Sequence, residues 1–192
     1  IPAQTATICS GALFAVTPVN SVPTAATIVP TGTTYTWPTP VVTGGITGGT
    51  AQLVGVASIS QTLTNPTNVP QTATYTVTPT SGAAGSCVGA TFTVTVTVNP
   101  QPVIPNQTTS ICSGAAFSVT PANGVPTSAT IVPASTTYTW LAPVVTGGLL
   151  GGSAQPAPQA SIRLSTLVRL KRPCSSTCGW ANATPRLASR YS

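Results

Sequence analysis

Apolar and polar residues alternate along several short stretches of the chain. The clearest is "TFTVTVTV" at 91–98, which places one aromatic and three valine side chains on one face and four threonines on the other. Because successive side chains of a β-strand point to opposite faces, this pattern predicts half-buried strands. The same alternation, or a run of β-branched residues, predicts further strands at 13–17, 26–29, 33–37, 57–64 and 74–79.

The pattern occurs twice, because the chain aligns with itself without a gap at an offset of 103 residues. "VPTAATIVPTGTTYTW" at 22–37, for example, aligns with "VPTSATIVPASTTYTW" at 125–140. Between Cys9 and Ile59, 35 of the 51 positions are identical to their partners. The sequence therefore predicts a tandem repeat.

The repeat defines a complete module at 1–100 and a partial module at 108–162, joined by a Pro-rich connector at 101–107. Short strands separated by Gly-, Asn- and Pro-rich turns, roughly seven to a module, are typical of an immunoglobulin-like β-sandwich. The predicted fold class is all-β, with tandem sandwich modules of which the second is incomplete. Aromatic residues at inward positions are the core candidates: Phe14, Tyr35, Trp37, Tyr75, Phe92, Phe117, Tyr138 and Trp140.

The composition excludes most catalytic chemistry. The 192 residues contain no Asp, Glu or His, and all six basic residues, which give the net charge of +6, follow Ile162. General acid–base catalysis, Ser–His–Asp triads and the usual calcium, magnesium and zinc sites need the missing side chains. The chain is predicted not to be an enzyme and to have no catalytic residues, cofactor or metal site. Its apolar runs are too short for a membrane span.

Two cysteines of the first module are candidates for a disulfide. Cys9 lies near the start of the module and Cys87 just before its last strand, so a bond would tie the first edge to the final hairpin. Disulfides persist in oxidising compartments, which favours an exported protein. Two free buried thiols are the alternative. The counterpart of Cys87 is Arg190, so the pairing of Cys112 stays open.

The ordered series of motifs resembles the PKD-like, immunoglobulin-type repeats. It runs from "ICSG" through "TTYTW" and "ISQTLTN" to "ATYTVTP" and "CVGATFTVTVTVNP", covering residues 5–100 fully and 108–162 in part. Such repeats occur in tandem in very large secreted surface proteins of Bacteroidetes, as spacers or adhesive stalks. The resemblance implies an extracellular location at the bacterial cell surface, and it supplies no catalytic residues.

The second copy fails abruptly after Ile162. Residues 163–192 contain all the charge and show no strand alternation, as a shift of reading frame would produce. They are interpreted as a frameshifted or disordered tail, with a genuine basic tail as the alternative. No aromatic residue interleaves with the basic run at 163–172, so no nucleic-acid partner is predicted. Cys174 and Cys178 have no His for a zinc site, and their pairing stays open.

These features together predict a non-catalytic spacer or stalk segment of an extracellular, adhesin-like surface protein. Its expected partners are neighbouring repeats of the same chain, and other copies through edge strands. A carbohydrate- or surface-binding module, with a glycan or surface ligand, is one alternative; ice binding is disfavoured because sandwich sheets twist. Another alternative is a filament subunit whose incomplete module takes a strand from another chain.

Overall fold

A computed structural model describes residues 1–82, 85–164 and 168–169. Every regular element within these ranges is a β-strand, which confirms the all-β fold class. The strands of the first module are β1 Gln4–Cys9, β2 Leu13–Val16, β3 Thr34–Trp37, β4 Val41–Val42, β5 Gln52–Val56, β6 Ile59–Thr62, β7 Gln71–Thr80 and β8 Phe92–Asn99. Those that follow are β9 Phe117–Val119, β10 Tyr138–Trp140, β11 Leu149–Leu150, β12 Gln155–Gln159, β13 Ile162–Leu164 and β14 Val168–Arg169. Most of the predicted tail, including Cys174 and Cys178, lies outside the described residues.

The first module consists of two layers of strands. One layer has the strand order β1-β8-β7-β3-β5, and β4 also pairs with β7. In this layer β1 runs parallel to β8, whereas the remaining pairs are antiparallel. The other layer is the antiparallel pair β2 and β6, with Val16 opposite Ile59. The two layers bury apolar side chains between them, as the sandwich prediction required.

The core of the first module is filled by inward-facing residues of both layers. Its aromatic members are all 5% exposed or less: Phe14, Tyr35, Trp37, Tyr75 and Phe92. The ring centroids of Phe14 and Tyr75 lie 5.3 Å apart, and the Trp37 ring meets Tyr75 edge-on at 6.1 Å. Burial of one such side chain contributes about 1.5–3 kcal/mol, so this cluster is a main source of the module's stability.

Residues 26–29, predicted as a strand, lie in a long loop that covers residues 18–33 between β2 and β3. The backbone of Thr27 is already used locally: its N–H donates to the Thr24 carbonyl at 2.9 Å, and its carbonyl accepts from the Ser21 N–H at 2.8 Å. These bonds satisfy groups that a sheet would otherwise pair. The strand prediction was therefore wrong, although the β-branched composition of this stretch favoured it.

The second module repeats two of the strand pairings of the first. β9 pairs with β13 so that Val119 lies opposite Ile162, which is the pairing of Val16 with Ile59 displaced by 103 residues. β10 pairs with β12 in the register in which β3 pairs with β5, including the irregularity between the two paired positions. The repeat seen in the sequence is thus a repeat of local structure.

The predicted core aromatics of the second module are half-buried. Phe117, Tyr138 and Trp140 are the identical counterparts of three buried residues of the first module, yet all three keep intermediate exposure. In the first module β7 and β8 supply much of the opposing apolar surface. The counterpart of β7 would fall at 174–183, where the sequence does not repeat the strand pattern. Identical side chains therefore differ in burial because their surroundings differ.

The contacts divide the chain into two units whose limits differ from the predicted modules. The first unit contains Ile1–Asn106 together with Pro121–Thr136. The second contains Gln107–Thr120 and the described residues that follow Thr136. The segment Pro121–Thr136 is the second copy of the long loop, and it groups with the first module rather than with the repeat from which it derives.

The predicted disulfide is not formed, because Cys9 and Cys87 are both free and exposed thiols. The parallel pairing of β1 with β8 places Cys9 opposite Asn99, at the end of β8, whereas Cys87 precedes the start of β8 at Phe92. Seven residues of strand separate Asn99 from Phe92, a rise of about 23 Å. A disulfide requires Cα atoms within about 7 Å. The prediction erred because it did not anticipate the parallel direction of β1.

Candidate functional site

A buried asparagine joins three parts of the backbone at one end of the first module. Asn65 is 1% exposed, and its Nδ2 donates to the carbonyls of Val69 at 2.8 Å and Val98 at 2.9 Å. Its Oδ1 accepts from the N–H and the hydroxyl of Thr67, both at 2.8 Å. The backbone N–H of Asn65 donates to the Ser10 hydroxyl at 2.9 Å. The amide uses its full hydrogen-bonding capacity for structure, so it is not available to a ligand.

A second polar cluster closes the edge of the aromatic core. The Tyr75 hydroxyl donates to Gln61 Oε1 at 2.9 Å, and Gln61 Nε2 donates to the Thr50 carbonyl at 2.8 Å. The indole N–H of Trp37 donates to the same carbonyl at 3.1 Å. Burial raises the pKa of Tyr75 to about 12, so the phenol is a neutral donor over the ordinary pH range. These bonds satisfy the polar ends of two core aromatics.

The second module keeps only part of this cluster. The indole N–H of Trp140 donates to the Ser153 carbonyl at 3.1 Å, as that of Trp37 does in the first module. The sequence, however, places a leucine and a cysteine at the counterparts of Gln61 and Tyr75. The break in the repeat therefore removes the amide and the phenol that complete the network in the first module.

An open groove of about 330 Å³ lies beside Trp140. Leu141, which is 87% exposed, and Gln155 also line this groove. Gln155 Nε2 donates to the Ala157 carbonyl at 3.1 Å, and the indole N–H is engaged as described. The remaining lining residues other than Thr139 are apolar, so the groove favours an apolar occupant over a sugar, which would need several free donors and acceptors.

Threonines form a regular array on the outer face of the larger layer. The strand registers place them side by side across β1, β8 and β7 in the rows Thr5–Thr95–Thr74, Thr7–Thr97–Thr72 and Thr93–Thr76. Neighbouring strands are about 4.8 Å apart, and alternate residues of a strand about 6.8 Å. The array gives the module a polar face without charge, although the twist of a sheet works against its matching a flat lattice.

The described residues contain no group of three or more His, Cys, Asp or Glu side chains that could hold a metal ion. The part of the chain that the structure describes also has no helix long and apolar enough to cross a membrane. The polar groups assembled in the first module are amides, hydroxyls and backbone groups that bond to one another. This arrangement stabilises a sandwich, and its polar contacts are structural.

Comparison with protein families identifies the module. The model of the PKD-like domain matches residues 6–102. The chain belongs to the PKD-like domain family. The match extends from β1 to the connector that follows β8, so it covers the complete sandwich of the first module. PKD-like domains are in general non-catalytic structural modules, and they are typically extracellular. Neither a curated protein nor a solved structure matches the chain.

Sequence reasoning missed the two amides that organise the PKD-like module. "NPTN" at 65–68 is one of the Asn- and Pro-rich segments that predict a turn, and Gln61 falls in the predicted strand at 57–64; neither pattern assigns its side chain a role. A signal for Asn65 was present, because an Asn that precedes Pro at the end of a strand often bonds back to its own turn. Gln61 carried no such signal, since its partners Thr50 and Tyr75 are brought to it by the fold.

Proposed function

We propose that this chain is a non-catalytic spacer segment of an extracellular, adhesin-like protein at a bacterial cell surface. The observation that carries the proposal is the parallel pairing of β1 with β8, in which Gln4 lies opposite Val94 and Cys9 opposite Asn99. The chain thus begins its first strand at one end of the PKD-like module and leaves its last strand at the other end. Modules connected in this way add their lengths in series.

The interior and the repeat support the same function. The polar groups inside the module serve its structure, as the bonds of Asn65 and Gln61 demonstrate. The second copy reproduces the registers of two strand pairs of the first, which is consistent with serial use of the unit. The partners expected from this function are neighbouring repeats, in keeping with the quasi-one-dimensional stacking of repeat proteins.

Surface location can be tested on intact cells of the source organism. An antibody raised against residues 1–100 is expected to label unpermeabilised cells, and external protease is expected to abolish the signal. A cytoplasmic protein detected in parallel controls for lysis. Labelling that appears only after permeabilisation would contradict the proposal.

A second candidate function is that of a filament subunit in which a strand from another copy completes the second module. In the first module β3 pairs on both edges, with β5 and with β7. Among the described residues β10 pairs on one edge only, with β12. The half-buried ring of Trp140 lies on this strand beside the apolar groove. A strand that resembles β7 would supply the backbone hydrogen bonds to the second edge of β10 and an apolar surface to cover Trp140.

Strand addition can be tested with a peptide of residues 71–80. The peptide is expected to bind the full chain and to move its tryptophan emission to shorter wavelengths as Trp140 becomes buried. The matched control is the same peptide with Tyr75→Ser, which keeps the backbone but loses the buried ring. Absence of binding, or equal binding of both peptides, would refute this candidate.

A further inference from the structure

The long loop and its second copy at 121–136 have the same internal structure. In each copy an Asn side chain accepts the backbone N–H nine residues later: Asn20 from Val29 at 2.9 Å, and Asn123 from Val132 at 3.1 Å. The two loops are also identical at 11 of their 16 positions. Because the local structure is shared, a difference in exposure between equivalent residues reports what packs against each loop.

The second loop packs against the end of the first module and belongs to the same unit. Ile131 and Val103 exchange two backbone hydrogen bonds, at 2.8 and 2.9 Å, as an isolated antiparallel bridge. Ala129 lies beside this bridge, and with Asn65 and Pro66 it lines an open groove of about 470 Å³. Ile131 is half-buried as a result. The connector, with Gln101 and Val103, and the turn at Asn65 and Pro66, called here the Asn65 corner, thus form a surface that receives the long loop of the next copy.

In the part of the chain that the structure describes, no connector packs against the same surface of the first loop. Ile28, the counterpart of Ile131, is 72% exposed, and within the described residues neither of its backbone groups has a hydrogen bond. The counterpart of Val103 falls before Ile1 in the repeat register. Ile28 also borders an open groove of about 350 Å³ lined by Ile1 and by Val88, which is 69% exposed. This end of the module combines exposed apolar side chains with an unpaired backbone edge.

Ile1, Ile28 and Val88 form what is called here the Ile28 surface. We propose that it is the docking site for the connector and Asn65 corner of another, preceding copy of the same module. The occupant is identified by the second loop, whose equivalent residues meet that partner within this chain. Val103 of the preceding copy would pair with Ile28 as Val103 here pairs with Ile131. The inference rests on the proposed spacer function, which requires such a neighbour.

The proposed contact joins two different surfaces of the module, so it can be repeated from one copy to the next. The groove beside Ile28 includes Ala90, just before β8 begins, whereas the groove beside Ile131 includes Gln101, just after β8 ends. A module thus has a receiving surface at one end and a donating surface at the other. Such a heterologous contact extends head to tail rather than closing into a dimer. None of the side chains that line the two grooves is charged, so added salt is expected to leave the contact intact.

Hydrogen exchange at two equivalent amides tests the docking site. In the full chain, the Ile131 amide is expected to exchange slowly, because it is bonded to Val103, and the Ile28 amide to exchange quickly. An extended chain carries one more copy of residues 1–103 joined directly before Ile1. In this chain the exchange of the Ile28 amide is expected to slow by about tenfold or more, toward the rate of Ile131. An unchanged rate at Ile28 would overturn the proposal.

A matched control separates docking from mere tethering. In the control chain, the four connector residues 100–103 of the added copy are replaced by Gly-Ser-Gly-Ser. This keeps the length and the backbone groups but removes the two prolines that stiffen the extended connector and the Val103 side chain, so the bridge is no longer favoured. The Ile28 amide is expected to exchange quickly again. Protection in both extended chains would show that the connector is not the partner, and would also overturn the proposal. If docking fails while the module is still detected on intact cells, the docking proposal is wrong but the spacer function is not. The modules would then be connected by flexible linkers.

Discussion

Cys9 lies directly opposite Asn99, because the first and last strands of the PKD-like module run parallel. This single register has two consequences. It separates Cys9 from Cys87 by the length of β8, so the two thiols stay free. It also carries the chain from one end of the sandwich to the other, which is the geometry a serial spacer needs.

Removal of the Cys9 and Cys87 thiols is expected to leave the stability of the protein unchanged. A native disulfide typically contributes about 2–4 kcal/mol, so its loss would lower the Tm by several degrees. With Cys9 and Cys87 free and far apart, calorimetry without reductant should give the same Tm for the original chain and for the double variant C9S/C87S. A clear fall in the Tm of the double variant would show that these two thiols form a disulfide after all.

Removal of the Asn65 amide is expected to destabilise the first module strongly. Asn65→Ala leaves the carbonyls of Val69 and Val98 without their buried donor, at a cost of about 2–4 kcal/mol in the free energy of unfolding. The control is Asn68→Ala, three residues along the same loop, whose side chain has no hydrogen bond among the described residues. Its effect should stay within about 0.5 kcal/mol. Urea unfolding measures both, and equal losses would contradict the role of Asn65.

The two equivalent tryptophans provide an internal comparison of burial. Trp37 is 2% exposed, whereas Trp140 is half-buried, although both occupy the same place in the repeat. Trp37→Ala is therefore expected to cost about 3–5 kcal/mol of stability, and Trp140→Ala clearly less. Unfolding of each variant, followed by circular dichroism, gives the comparison. Equal losses would mean that the second module has a core as complete as that of the first.

Stability is expected to fall in alkaline solution because of Tyr75. Burial raises the pKa of this phenol to about 12 in the folded chain, against 10.0 for an exposed tyrosine. The folded state therefore holds the proton that the unfolded state loses, so the stabilising effect is full below pH 10 and disappears between about pH 10 and 12. Tyr75→Phe should reduce this slope in urea titrations. Part of it should remain, since burial also raises the pKa of Tyr35. An unchanged slope in Tyr75→Phe would contradict the assignment.

The fold was predictable where alternation was strong and one face was fully buried. β7 and β8 satisfy both conditions, and their strands were found within a few residues. β5 was missed because Leu53 and Val54 are both exposed, so its sequence shows no inward face. β1 was not predicted because it is an edge strand composed mainly of small and polar residues. Its parallel register with β8 was therefore not predicted either. For residues 26–29 the error was the opposite one: a strand was predicted from their β-branched sequence, but the described structure has no neighbouring strand with which they pair.

The polar contacts were less predictable than the strands because their partners are distant in sequence. Asn65 bonds to Val98 and to Ser10, which are 33 and 55 residues away. Gln61 on β6 meets the Tyr75 hydroxyl on β7 only after the two layers have packed together. The docking of the second loop was unpredictable for the same reason. The sequence around Val103 and the sequence around Ile131 do not indicate that these residues form a bridge. Composition can exclude chemistry, but it cannot place these contacts.

Serial extension of the modules can be measured by small-angle X-ray scattering. The measurement compares the full chain with chains that carry one, two and three added copies of residues 1–103 ahead of Ile1. Since β7 alone spans about 34 Å, each copy is expected to increase the maximum dimension by about 30–40 Å at constant cross-section. A maximum dimension that grows only as the cube root of the mass, as in a compact cluster of modules, would contradict the account.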